Sequence, residues 1–143
     1  MSIRLAKLKD NIKKFFSKTY PNIEFTYELK DAGGELLKIS CNLQTETIED
    51  ILVNVHVNNF GAISLEATFG EIDKEDINVL NLLNEYNANE PVAKVYADDF
   101  LNLCLGAAGI EEDEAIKTIN TMVDYFSACL DDEAFITLLD CTY

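Results

Sequence analysis

Between residues 22 and 69, apolar and polar side chains alternate through four successive segments. The apolar set runs Ile23, Phe25, Tyr27, Leu29; then Leu37, Ile39, Cys41, Leu43; then Ile51, Val53, Val55, Val57; then Ile63, Leu65, Ala67, Phe69. Successive side chains on a strand point to opposite faces, so this alternation predicts four strands with one buried face and one open face. The open face then presents Asn42, Asn54, His56, Asn58, Ser64, Glu66 and Thr68. Asp31-Ala32-Gly33-Gly34 and Asn58-Asn59-Phe60-Gly61 carry residues that tolerate tight turns, which makes an antiparallel meander the economical arrangement.

On either side the period changes. Leu5, Leu8, Ile12, Phe15 and Phe16 recur at spacings of three and four over residues 2–19, predicting an amphipathic helix that Pro21 closes. A second helix is expected from the spacing of Ile77, Leu80, Leu83 and Tyr86, with Asp73 and Asp76 in a capping arrangement and Asn87-Ala88-Asn89 and Pro91 as its stop. A fifth strand is expected over about 92–97 and, after a turn at Asp98-Asp99, a sixth with Leu101, Leu103 and Leu105 on one face and Phe100, Asn102 and Cys104 on the other, ended by Gly106 and Gly109. A last helix opens at Glu111-Glu112-Asp113-Glu114 and carries Ile116, Ile119, Met122, Val123, Phe126 and Leu130 toward Leu139. The order α-ββββ-α-ββ-α predicts an α+β fold, an antiparallel sheet with helices on one face, in a single domain spanning residues 1–143.

Charge sharpens this picture. The chain has a formal net charge of −15 at pH 7. Residues 1–20 hold Arg4 and five lysines against Asp10 alone, for +5, and the remainder carries −20. So acidic a body repels phosphate backbones, which excludes a general nucleic-acid surface. The basic first helix answers the acidity of its own fold or of a second subunit; an acidic partner or an anionic membrane surface would also suit it. Cys41, Cys104, Cys129 and Cys141 show no Cys-x-x-Cys pair, and His56 is the only histidine, so neither a zinc site nor a disulfide framework is expected. Free buried thiols, no apolar N-terminal leader and no transmembrane segment together predict a cytoplasmic protein.

Candidate chemistry is sparse. Asp98-Asp99 and the 111–114 cluster fit turn and helix-start roles, and no cofactor or metal motif occurs. His56 needs a nucleophile such as Ser40, Ser64 or Cys104 beside it across the sheet before it could act as a base. The residues of interest are therefore the open-face set Asn42, Asn54, His56, Asn58, Ser64 and Glu66, joined by Asn102 from the sixth strand. None is expected to be catalytic.

With this element order, the segments Leu82-Leu83-Asn84-Glu85-Tyr86-Asn87 and Pro91-Val92-Ala93-Lys94-Val95-Tyr96-Ala97-Asp98-Asp99 resemble the YbjN-like family. Its members are described as bacterial sensory transduction regulators, similar in fold to type III secretion chaperones, although the four strands read here before the middle helix depart from the three typical of those chaperones. The resemblance implies a small acidic homodimer in the cytoplasm that binds another protein or peptide, without enzymatic activity. A small-ligand binder or enzyme using the face around His56, and an immunity-type antagonist, are the alternative readings.

Overall fold

A computed structural model describes residues 3–18, 24–29, 35–58, 62–73, 75–98, 102–110 and 115–142. Its elements are α1 (Ile3–Phe16), β1 (Glu24–Leu29), β2 (Glu35–Leu43), β3 (Ile51–Asn58), β4 (Ala62–Glu71), α2 (Ile77–Asn89), β5 (Lys94–Ala97), β6 (Asn102–Ile110), α3 (Ala115–Leu130) and α4 (Glu133–Leu139). The fold is α+β. All six strands join one antiparallel sheet in the order β1-β2-β3-β4-β6-β5. After β4 the chain crosses by α2 to the outer edge, enters β5, and returns as β6 to pair with β4, so β6 lies between two strands that precede it.

The alternation is reproduced side chain by side chain where the pattern can be followed. Leu37, Ile39, Cys41 and Leu43, Ile51, Val53, Val55 and Val57, and Ile63, Leu65 and Ala67 are all buried, and Phe69 packs against them. Helix α3 covers β4, α1 lies against α3, and α2 lies against β5 and α4. Ile119, Val123, Phe126 and Leu130 of α3, with Phe135 and Leu138 of α4, complete the same core as Leu5, Ile12 and Phe16 of α1. Fully burying a side chain such as Phe126 or Phe135 is worth about 1.5–3 kcal/mol, so the apolar stripes hold the helices to the sheet.

Several expectations are corrected. The last helix is two helices: the Asp132 carboxylate accepts from Ala134 N at 2.8 Å and starts α4 afresh. Helix α2 is capped by Asp76, which accepts from Asn78 N at 2.9 Å, while Asp73 accepts from Glu75 N in the preceding turn. Its inward stripe is Val79, Leu82, Leu83 and Tyr86, whereas Ile77 is 67% exposed and Leu80 37%. That stripe also has spacings of three and four, and packing against α4 and β5 selects it over the neighbouring one. Phe15 of α1, at 42% exposure, likewise stands outside the core.

Strand β6 does not stop at its glycines. It runs to Ile110, with Gly106 opposite both Glu66 and Lys94. A Cβ at Gly106 would sit 3.1 Å from Tyr96 Cε1, so glycine here admits an aromatic ring over the strand. Between the pairs Thr68–Cys104 and Glu71–Asn102, the two residues Phe69 and Gly70 of β4 stand against Leu103 alone on β6, a bulge. Two open-face residues, Leu36 and Cys104, are buried without belonging to the main core. Pro21, Ile23, the turns at 31–34 and 59–61, Asp99, Phe100, Leu101, the carboxylates at 111–114 and the side chains of Phe25, Tyr27 and Leu29 lie outside what is described.

Candidate functional site

The site follows from strand register. His56 of β3 lies between Lys38 of β2 and Ser64 of β4, and Asn54 lies between Ser40 and Glu66. Glu66 pairs in turn with Gly106, and Gly106 with Lys94 of β5. Two adjacent rows of polar groups therefore cross the middle of the open face. The row through Glu66 ends at Lys94, and Val92 and Tyr96, two residues to either side of it, are 46% and 36% exposed. His56, Ser64, Glu66, Val92, Tyr96 and Gly106 line a shallow depression of about 290 Å³.

Most polar groups around the depression are already engaged. The Tyr96 hydroxyl reaches over Gly106 and donates to Glu66 Oε2. Burial, and then this hydrogen bond to a carboxylate, push the Tyr96 phenol well above its ordinary range. Ser40 Oγ donates to Asn54 Oδ1 at 2.8 Å. Lys94 contributes its stem to the depression, while its ammonium donates to the Asn87 carbonyl at 2.8 Å and to the Glu90 carbonyl, at the negative end of α2. Cys104, opposite Tyr96, is fully buried, with its thiol raised by burial and its Sγ 3.7 Å from Thr68 Oγ1.

Of the residues singled out in the sequence, the fold brings His56, Ser64 and Glu66 to one depression, with Asn54 beside Glu66. Asn58 accepts from Ala62 N at 3.0 Å and closes the β3–β4 hairpin. Asn102 donates its backbone N–H to Asp98 Oδ1 at 3.0 Å and belongs to the β5–β6 turn. Asn42 lines a different hollow of about 400 Å³ with Asp50, Asp124 and Ser127. Val92, Tyr96 and Gly106 were not among the expected site residues. The alternation of Val92, Lys94 and Tyr96 around Ala93 and Val95 was the signal for them, but it says nothing about which strand they adjoin.

Chemically, the depression joins an aromatic ring, an aliphatic side chain and a polar rim in which the Glu66 carboxylate and the Lys94 ammonium are both hydrogen-bonded. Its volume falls just short of the roughly 300–1,000 Å³ of small-molecule pockets and suits one or two side chains. Among the described residues no group of three or more histidine, cysteine, aspartate or glutamate side chains is placed to hold a metal ion. No described helix is long and apolar enough to cross a membrane. No protein-family model matches the chain, and no curated protein or solved structure does.

Proposed function

We propose that this chain is a non-enzymatic interaction module, a chaperone-like regulator of the YbjN-like kind, that holds another polypeptide on the open face of its sheet. The observation that carries this reading is the patch formed by Val92 and Tyr96 beside the depression at His56, Ser64 and Glu66, where aromatic and aliphatic surface meets few free charges. Aromatic residues with depleted free charge are what the cores of protein interfaces use. The groups a reaction would need are otherwise committed: Glu66 accepts from Tyr96, and the Cys104 thiol is buried and protonated. A dimer in the bacterial cytoplasm belongs to the same reading. Light scattering that finds only a monomer at micromolar concentration counts against the dimer.

The test is capture of partners from the native host, followed by mass spectrometry. The polypeptide retained by the natural chain should be lost when Val92→Asp and Tyr96→Ala are combined, and kept by His56→Ala. Retention by the double variant, or no partner at all, overturns the proposal. A second reading, a small-ligand site or enzyme, is favoured by the direct pairing of His56 with Ser64 across β3 and β4. It requires that His56→Ala abolish ligand binding or turnover.

A further inference from the structure

The face of α1 that looks away from the core is basic and, among the described residues, has no ion-pair partner. Lys7, Asn11, Lys14 and Phe15 are exposed, and Lys18 continues the row just past the helix end. Neither Lys14 nor Lys18 forms an ion pair among the described residues. Between them, Phe15 and Ile116 of α3 floor a depression of about 480 Å³, with Asn11 on its rim. Leu5, Ile12 and Phe16 anchor the helix in the core, while Phe15, edge-on to Phe16, keeps 42% of its surface exposed. Among the described residues, the helix therefore leaves two cations around one apolar hollow, on a chain whose residues beyond position 20 sum to −20.

We infer that this hollow is a second docking site, distinct from the sheet face, and that its occupant is an acidic polypeptide segment inserting one apolar side chain between Lys14 and Lys18. Charge complementarity selects the sign of the occupant, and the floor of Phe15 and Ile116 selects an apolar anchor. A second copy seated on this hollow would set two acidic bodies face to face, so the proposed dimer uses another surface. A bilayer is excluded on geometry, because a helix lying in a membrane interface inserts its apolar face, and that face of α1 is buried in the protein core. A short acidic segment brings local charge without an acidic body.

The probe is a dye-labelled peptide of glutamates flanking one leucine, titrated with the full chain by fluorescence polarisation at low and high salt. Saturable binding that weakens with salt is expected. Lys14→Glu combined with Lys18→Glu should weaken it at least about tenfold, since two attractive contacts become repulsive. Replacing the leucine by glycine, or Phe15→Ser in the protein, should weaken it about tenfold through loss of the apolar contact. Val92→Asp combined with Tyr96→Ala, which removes the sheet-face patch, should leave binding unchanged, and this separates the two sites. Unchanged far-ultraviolet dichroism shows that the lysine variants fold, and Lys14→Gln with Lys18→Gln should weaken binding to a smaller extent. The inference is overturned if the peptide does not bind, if the lysine variants bind it equally, or if the leucine is immaterial. It is also overturned if the same lysines mediate tighter binding to phosphatidylglycerol vesicles, or self-association without peptide.

Discussion

The side-chain amide of Asn87 pairs with the backbone of Val95 as a neighbouring strand would: Nδ2 donates to Val95 O at 3.0 Å, and Val95 N donates to Oδ1 at 2.8 Å. β5 is an edge strand, and an unpaired edge is a template for unwanted pairing. The last turn of α2 blocks it here. Lys94, hydrogen-bonded to the Asn87 and Glu90 carbonyls, ties the same helix end to the same strand. Together they set the position of Val92, Lys94 and Tyr96 beside β6.

Asn87→Leu is accordingly expected to destabilise the fold by about 1–3 kcal/mol, because two part-buried backbone groups lose their partners. Urea unfolding checks the loss. Asn87→Asp keeps the acceptor for Val95 N and should cost less.

Gly106→Ala should dislodge the Tyr96 ring, since the added Cβ lies 3.1 Å from Cε1 and 3.4 Å from the hydroxyl oxygen. Freed from Glu66 and from its cover, the phenol should ionise at lower pH than in the natural chain. Ultraviolet absorbance titration, with Tyr96→Phe to assign the signal, reads the shift directly.

Alkaline pH should unfold the protein through its thiols. Burial raises Cys41 and Cys129 from 9.0 to about 11. The unfolded chain then loses these protons first, so their contribution to stability is complete below about pH 9 and disappears as pH rises toward 11. Thermal unfolding followed from pH 8 to 11 should show a falling Tm, with a shallower fall in Cys41→Ala. Native-state thiol labelling at pH 8 should favour the part-exposed Cys141 over the three buried cysteines.

The break between α3 and α4 should be energetically uneven. Asp132→Ala removes the α4 cap and is expected to cost about 1 kcal/mol. Asp131 accepts from Glu46 N at 3.4 Å and from Thr47 Oγ1 at 3.3 Å, both exposed, so Asp131→Ala should cost roughly 0.5 kcal/mol. Chemical denaturation of the two variants side by side tests the ranking.

The first helix shows how far a stripe can be read. Leu5, Ile12 and Phe16 could be assigned to the core because a helix must bury one face, and they are buried. Phe15 fits the same spacing nearly as well and lies outside, as Ile77 and Leu80 do on α2. Adjacent stripes on a helix differ by a rotation that only its neighbours select. The aspartates at 131 and 132 mark a helix break once Asp132 is seen to cap α4, whereas in a continuous apolar periodicity they read as two solvated positions.

For β2, β3 and β4, the sequence alone determined which face each strand buries, because alternation with period two is a local property of an extended chain. It placed Asn54, His56, Ser64 and Glu66 on the open side, where they lie. Tertiary structure decided that Ser64 stands opposite His56, that β6 inserts between β4 and β5, and that Tyr96 crosses Gly106 to meet Glu66. Those are non-local pairings. They depend on backbone hydrogen bonds between distant segments and on helices that close one edge, and a slip of two residues would have preserved every inward and outward assignment while dissolving the site.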